Sequence, residues 1–184
     1  MMAHSHVVFG LSLWTIGAEL AGVPALEPAA IALTAAGALL PDIDHPGSWF
    51  GRRLLFISLP LALIVGHRGV THSLIAVAAG IGALLYYGLD GYAAPLVVGY
   101  LSHLLGDAFT PSGVPLLWPL KPRFSLNLMR TNSLVEHIGA AALTMTLFWY
   151  WGTDFLGPFA GDVPSIGSMY RAFVNADRPI GLLR

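Results

Sequence analysis

The chain has no cysteine among its 184 residues, and only 10% of its residues are charged. The lack of cysteine excludes disulfide bonds and thiolate metal ligands. The net charge of −1, without a basic run, argues against a nucleic acid partner. Hydrophobic residues, by contrast, make up 55% of the chain, and the mean hydropathy is +0.69. This composition is typical of a protein that crosses a membrane several times.

Hydropathy predicts six apolar segments, at about 7–23, 28–41, 54–66, 73–89, 93–109 and 134–152. A helix rises 1.5 Å per residue, so the third segment is too short to span a hydrocarbon core of about 30 Å. We interpret it as a re-entrant or interfacial helix. The sequence therefore predicts an all-α, polytopic membrane bundle with five crossings and one short helix. Residues 1–152 form the membrane-embedded domain, and residues 153–184 form a C-terminal tail.

Basic residues are distributed unevenly over this predicted topology. The loops around 24–27 and 89–92 contain no Lys or Arg, whereas the opposite side carries six such residues: Arg52, Arg53, Arg68, Lys121, Arg123 and Arg130. The positive-inside rule makes this second side cytoplasmic. The polar motifs fall on the same side, and the tail from Gly152 is then expected on the outside.

Three polar motifs adjoin apolar segments: Asp-Ile-Asp-His at 42–45, Gly-His-Arg-Gly-Val-Thr-His at 66–72, and the pair His103 and Asp107. Imidazole and carboxylate groups are ligands for Zn²⁺ and Mn²⁺. In an apolar setting ionisable residues indicate a functional site. His103 and Asp107 share one helix face and are able to bind a single ion, although a buried His–Asp hydrogen bond would explain them too.

Asp42 and Asp44 follow the C-terminal end of a predicted helix, where the helix dipole disfavours negative charge. A cation must compensate them, and it is either a metal ion or one of the arginines at 52 and 53. His45 is the weaker candidate of this motif, as a residue that orients a ligating carboxylate.

The motif at 66–72 requires a turn, because His67 and His72 are five residues apart, about 140° around a continuous helix. Its two glycines supply that turn. Arg68 is suited to clamp a phosphate or a carboxylate with two hydrogen bonds, or else serves as a plain positive-inside anchor. Thr71 is predicted to cap a helix that begins near Ser73.

Two further candidates lie near the chain start and before the last apolar segment. His4 and His6 are two residues apart, and one of them is expected to be solvated. Ser133 and Glu136 have the spacing of a capping box, which by itself favours a structural role for Glu136.

Four sequence motifs, in this order along the chain, are typical of one protein family: Leu-Pro-Asp-Ile-Asp-His-Pro at 40–46, Gly-His-Arg-Gly-Val-Thr-His-Ser-Leu at 66–74, Gly-Tyr-Leu-Ser-His at 99–103, and Thr-Pro-Ser-Gly-Val-Pro-Leu-Leu-Trp-Pro at 110–119. Over residues 5–140 the chain closely resembles the YdjM-like family of LexA-regulated, membrane-bound, metal-dependent hydrolases. The resemblance implies a bacterial inner-membrane location and expression in the SOS response. It also implies a distant likeness to zinc-dependent phospholipase C and P1 nuclease, helical proteins that cleave phosphoesters with clustered metal ions.

The resemblance also implies a set of metal ligands. It favours His6 over His4 and makes Glu136 a ligand instead of a cap. The complete implied set is His6, Asp42, Asp44, His67, His72, His103, Asp107 and Glu136. Arg68 is then expected to hold phosphoryl oxygens, and Glu136 or Asp44 to act as general base.

These considerations predict a membrane-embedded hydrolase with two or three Zn²⁺ or Mn²⁺ ions that cleaves a phosphoester of a membrane lipid. Eight ligands exceed the need of one tetrahedral ion, and a pair of ions suits phosphoester hydrolysis. A metal transporter is an alternative, although its polar groups should be strung through the bilayer and here they gather at one end. A catalytically silent, metal-stabilised membrane protein is the second alternative.

Overall fold

The computed structural model describes residues 1–64, 66 and 68–156. Within this part of the chain the elements are helical, and the only β-type pairing is an isolated bridge between Val114 and Phe124. The prediction of an all-α fold is confirmed for these residues. The six α-helices are α1 (Ala3–Ala21), α2 (Pro28–Leu39), α3 (Leu55–Ile64), α4 (Leu74–Tyr86), α5 (Ala93–Ala108) and α6 (Leu134–Leu156).

The helices correspond one to one with the six apolar segments of the sequence. The third is short, as predicted, with ten residues and a proline, Pro60, inside it. Across the described residues, no helix combines the length and the apolarity needed to span a bilayer. The five predicted crossings therefore stay a prediction.

Local signals explain where the helices begin and end. α1 ends at Gly22, which adopts the left-handed conformation (φ 69°) that glycine tolerates best. α2 begins with Pro28 after Glu27, whose carboxylate accepts a 2.6 Å hydrogen bond from the N–H of Ala30. Ser73 caps α4 by accepting from the N–H of Ala76. The prediction that Thr71 is this cap is wrong, because its hydroxyl donates to Asp44.

α2 and α5 approach each other through glycine. A Cβ atom added to Gly37 would lie 2.2 Å from the carbonyl oxygen of Leu96, and one added to Gly99 would lie 2.1 Å from that of Thr34. The two backbones are thus in direct contact. Because α1 packs against both helices, the three form the bundle on which the candidate site is built.

The chain divides into two compact units, residues 1–143 and 144–184. All predicted site residues belong to the first unit. Most of the predicted tail lies outside the described residues.

Candidate metal centre

Four chain segments supply the polar side chains of the candidate centre. The first turn of α1 carries His6, and the last turns of α5 carry His103 and Asp107. The other side chains come from two short 3-10 helices, Pro41–Asp44 after α2 and Val70–His72 before α4. Both short helices end in residues that the sequence singled out as candidate ligands.

Four ligand atoms from these segments are close together. The Nε2 atoms of His72 and His103 are 3.3 Å apart. Each lies 3.6 Å from Oδ1 of Asp42. The distances from the same two nitrogens to Oδ2 of Asp107 are 3.6 and 3.7 Å.

These distances match a metal coordination shell. Four atoms that bind Zn²⁺ tetrahedrally with bonds of 2.0–2.1 Å lie about 3.3–3.4 Å from one another. Five of the six separations in this group are known, and they span 3.3–3.7 Å. The residues present therefore fit a divalent ion held by the two imidazoles and a carboxylate.

Burial differs among the four residues. The side chains of His72, His103 and Asp107 are at most 1% exposed, whereas that of Asp42 is 24% exposed. Asp42 therefore forms the solvent-facing side of the group.

The two imidazoles are oriented by acceptors on their other ring nitrogens. Nδ1 of His103 lies 2.7 Å from the carbonyl oxygen of Ala38. Because a carbonyl only accepts, Nδ1 carries the hydrogen, and Nε2 presents its lone pair to the cluster. Nδ1 of His72 lies 3.5 Å from Oδ2 of Asp44. Such contacts behind histidine ligands are usual in metal sites.

Asp44 is fully buried behind His72. Its Oδ2 accepts hydrogen bonds from the backbone N–H of Arg68, at 3.0 Å, and from the hydroxyl of Thr71, at 2.5 Å. This environment orients His72. The predicted roles of Asp44 as metal ligand and as general base stay predictions.

The potential ligands form two triads: His6, His103 and Asp107 in one, and Asp42, His72 and His103 in the other. The first triad shares His103 and Asp107 with the group of four atoms described above. Nε2 of His6 lies 3.5 Å from Oδ1 of Asp107, and the imidazoles of His6 and His103 stack with centroids 3.7 Å apart. The carboxylate of Asp107 thus turns one oxygen to each group of ligands.

Arg68 adopts a left-handed backbone conformation (φ 60°). Its Nη2 lies 2.9 Å from Oδ2 of Asp107, and its Nη1 donates a 3.2 Å hydrogen bond to the carbonyl of Gly113. The guanidinium therefore touches the candidate centre directly. The phosphate clamp predicted for Arg68 stays a prediction.

The electrostatics of the cluster favour ionised carboxylates. Burial alone raises the pKa of Asp42, but its hydrogen bond with His72 and the charge of His103 outweigh this effect and lower the pKa to about 2. Burial disfavours the charged form of His72 and so lowers its pKa, but hydrogen bonds to Asp42 and Asp44 outweigh this effect and raise the pKa above its usual value.

Glu136 lies outside both triads. One carboxylate oxygen accepts from the N–H of Met2 at 2.6 Å, and the other accepts from the N–H of Asn132 at 2.7 Å. Ser133 Oγ accepts from the N–H of Glu136, so the half of the predicted capping box that involves the serine hydroxyl forms. The ligand and base roles of Glu136 stay predictions.

Four histidines remain to be placed, and two of them, His45 and His137, are exposed. His67 lies outside the described residues. His4 is exposed, with its ring centroid 6.0 Å from that of His137, whereas His6 is buried.

Two groups near the centre escaped the sequence analysis. The hydroxyl of Tyr100 donates to the carbonyl oxygen of Thr71. Tyr100 precedes His103 by three residues and shares its helix face, and this spacing is a signal that could have identified it. The carbonyl of Ala38 gives no such signal, because it acts through the main chain.

Comparison with known proteins gives a consistent result. The model of a family described as YdjM inner membrane protein matches residues 1–161. The inner membrane protein YdjM of Escherichia coli (strain K12) and that of Shigella flexneri are each 44% identical over 165 residues, which cover 81% of this chain and 82% of the relative. The uncharacterized protein YvsG of Bacillus subtilis (strain 168) is 34% identical over 160 residues, covering 85% and 98%. No solved structure matches.

Proposed function

Because this chain belongs to the YdjM inner membrane protein family, we propose that it is a metal-dependent hydrolase of the bacterial inner membrane. Its proposed substrate is a phosphoester of a membrane lipid. The arrangement of His72, His103, Asp42 and Asp107 carries the proposal, since five distances among their ligand atoms match a coordination shell.

The surface of the helices supports the membrane location. Phe56, Leu63 and Ile64 on α3 and Tyr86 on α4 are each at least 74% exposed. Soluble monomers rarely expose large contiguous apolar patches, and a lipid environment would cover these side chains. We retain the multi-pass topology with the metal centre on the cytoplasmic side, on the basis of the Lys and Arg distribution.

The burial pattern supports a catalytic site. His72, His103 and Asp107 are buried and would hold the ion, which corresponds to the three protein ligands of catalytic zinc sites. Asp42, on the exposed side, would hold the ion where substrate approaches from solvent. A bound divalent ion supplies a Lewis acid that activates water and polarises a phosphoryl oxygen.

The surrounding residues would hold this arrangement and orient the substrate. The carbonyl of Ala38 fixes the imidazole of His103, and Asp44 fixes that of His72. Arg68, at Asp107, would bind phosphoryl oxygens, because a guanidinium has five N–H donors, more than its two contacts need.

The contacts of Asp107 support two ions as the stoichiometry. Nε2 of His103 belongs to both triads but binds only one ion. We assign it to the four-atom group. Asp107 and His6 would hold the second ion. Because fewer protein atoms hold this second ion, it should bind more weakly.

A metal-stabilised protein without catalytic activity is the second candidate. It is favoured by the same four atoms, because four protein ligands would fill a tetrahedral shell as they do in structural zinc sites. The two functions differ in the consequence of adding metal. A structural site raises the unfolding temperature only, whereas a catalytic site also supports turnover.

The test uses the full chain, purified in detergent, stripped with a chelator and reloaded with Zn²⁺ or Mn²⁺. We expect at least one bound ion per chain by elemental analysis. We also expect release of the water-soluble headgroup fragment from phospholipids in proteoliposomes, and this release should depend on the added metal. The Asp42→Asn variant should lose metal affinity, while Asp90→Asn, an exposed acid outside both triads, serves as the matched control. Metal-dependent stabilisation without turnover on any phospholipid would favour the silent protein. Less than about half an equivalent of metal would contradict both functions.

A further inference from the structure

The segment 115–130, here called the apolar–basic loop, follows α5 just beyond the candidate metal centre. It exposes apolar side chains, each 43–67% exposed: Leu117, Leu120, Phe124, Leu126 and Leu128. The same loop carries the cations Lys121, Arg123 and Arg130. The sequence contains no acidic residue between Asp107 and Glu136. The loop therefore combines apolar surface with positive charge only.

The backbone of the loop is fixed by hydrogen bonds. Val114 and Phe124 exchange two of them, at 3.0 and 2.9 Å. The N–H of Leu126 donates to the carbonyl of Ala108, the last residue of α5, at 2.7 Å, and that of Leu128 donates to the carbonyl of the next residue, Phe109, at 2.8 Å. The exposed side chains are thus presented by a backbone that is tied to the helix bearing Asp107.

The loop is also connected to the candidate centre through its cations. Arg123 donates a 3.3 Å hydrogen bond to the carbonyl of Ser112, and Arg68 donates to that of the next residue, Gly113. The guanidinium groups of Arg123 and Arg68 therefore donate to adjacent carbonyls at 112 and 113, and that of Arg68 also contacts Asp107. The turn at 112–113 thus connects Arg123 of the loop, through Arg68, with the candidate centre.

Charge complementarity indicates what covers this surface. Apolar side chains enter the acyl region of a leaflet, while Lys and Arg reach the phosphates, and anionic lipids attract such clusters. We propose that the apolar–basic loop lies in the headgroup region of an anionic phospholipid leaflet and presents anionic phospholipids to the metal centre. This inference rests on the proposed function for the identity of the substrate, and on the loop alone for lipid contact.

A cysteine-free chain permits a direct test. A single Leu120→Cys substitution carries an environment-sensitive fluorophore, and the full chain is reconstituted in nanodiscs. Brominated phosphatidylglycerol should quench the probe about twofold more strongly than brominated phosphatidylcholine at equal mole fraction. A matched probe at Leu20→Cys, an exposed leucine in the last turn of α1, should show no such preference.

The charges are tested in the same background. The double substitution Lys121→Gln and Arg123→Gln should abolish the preference for phosphatidylglycerol, and added salt should weaken it in the unsubstituted loop. The salt titration keeps the test decisive if the double variant does not fold. Equal quenching by the two lipids, or a water-exposed probe without quenching, would overturn the proposal and leave solvent or a protein partner on this surface.

Metal content and headgroup release are measured on the same samples. Release of the water-soluble headgroup fragment should be at least tenfold faster from phosphatidylglycerol than from phosphatidylcholine, a factor that corresponds to about 1.4 kcal/mol. If the probe prefers phosphatidylglycerol but no metal-dependent headgroup release occurs, the contact of the loop with anionic lipid is supported and the proposed hydrolase function is contradicted. Equal release from both lipids would overturn the assignment of the substrate class.

Discussion

The guanidinium of Arg68 lies 2.9 Å from Oδ2 of Asp107, the oxygen that also faces the Nε2 atoms of His72 and His103. One carboxylate oxygen thus joins the proposed metal ligands to the proposed phosphate-binding cation. Substitutions at the two ends of this contact have different expected consequences.

Asp107→Asn retains the size of the side chain but removes the charge shared by both ligand groups. We expect loss of bound metal together with loss of hydrolysis, as measured by elemental analysis and by release of the water-soluble headgroup fragment. The variant Asp90→Asn is the control and should retain both. Retention of the full metal content by Asp107→Asn would show that the centre has been placed on the wrong residues.

Arg68→Lys preserves the positive charge but removes the planar fork of donors. Metal content should remain at the wild-type level, while turnover falls. Loss of one bidentate contact costs roughly 2–4 kcal/mol, or about 30- to 1000-fold in rate. If this variant instead loses its metal, Arg68 supports the cluster through Asp107 and does not bind substrate.

Thr71→Val removes the hydroxyl that donates to Asp44 behind His72. We expect the metal dissociation constant to rise by about 10- to 100-fold, because His72 loses part of its orientation. Competition with a chelator of known affinity measures this change. Thr34→Val is the matched control, since the buried hydroxyl of Thr34 has no hydrogen-bond partner among the described residues. Equal metal affinities of the two variants would exclude a positioning role for Thr71.

Gly99→Ala forces α2 and α5 apart, because the new Cβ would lie 2.1 Å from the carbonyl oxygen of Thr34. We expect a loss of about 1–3 kcal/mol in the free energy of unfolding, read as a lower unfolding temperature in detergent. Gly80→Ala in α4 meets no atom within 4 Å and should be neutral or stabilising by up to about 1 kcal/mol. Equal stabilities of the Gly99→Ala and Gly80→Ala variants would contradict the close approach of α2 and α5.

The orientation of the protein is tested by single cysteines. A membrane-impermeant maleimide applied to intact cells should label Ser168→Cys and leave Ser125→Cys unlabelled. The physical reason is the excess of Lys and Arg on the side of the apolar–basic loop. The reverse pattern would place the metal centre outside the cytoplasm.

The helical elements could be predicted because hydropathy and chain punctuation agree. Gly22 and Pro28 mark the connection between α1 and α2, and the structure has its helix ends there. The start of α4 was predicted less well. Thr71 and Ser73 are both good capping residues, and only the position of Asp44 in three dimensions decides that the threonine hydroxyl is used elsewhere.

For the candidate centre, residue types and spacing pointed to Asp42, His72, His103 and Asp107, whose side chains lie together in the structure. His103 and Asp107 are four residues apart on one helix, and this local spacing determines their shared face. The pairing of His72 with Asp42 depends on how two distant 3-10 helices meet, and no local pattern contains that information. The contact between Ala38 and His103 was inaccessible for a different reason, since a backbone carbonyl is present at every residue.

The close contact of α2 and α5 at Gly37 and Gly99 has a chemical consequence beyond stability. The carbonyl that fixes the ring of His103 belongs to α2, so the distance between the two helices sets the angle of a proposed metal ligand on α5. If the proposed centre binds metal, a methyl group at either glycine would change its preference among metal ions while every proposed ligand stays the same. Metal selectivity would then depend partly on residues that have no side chain.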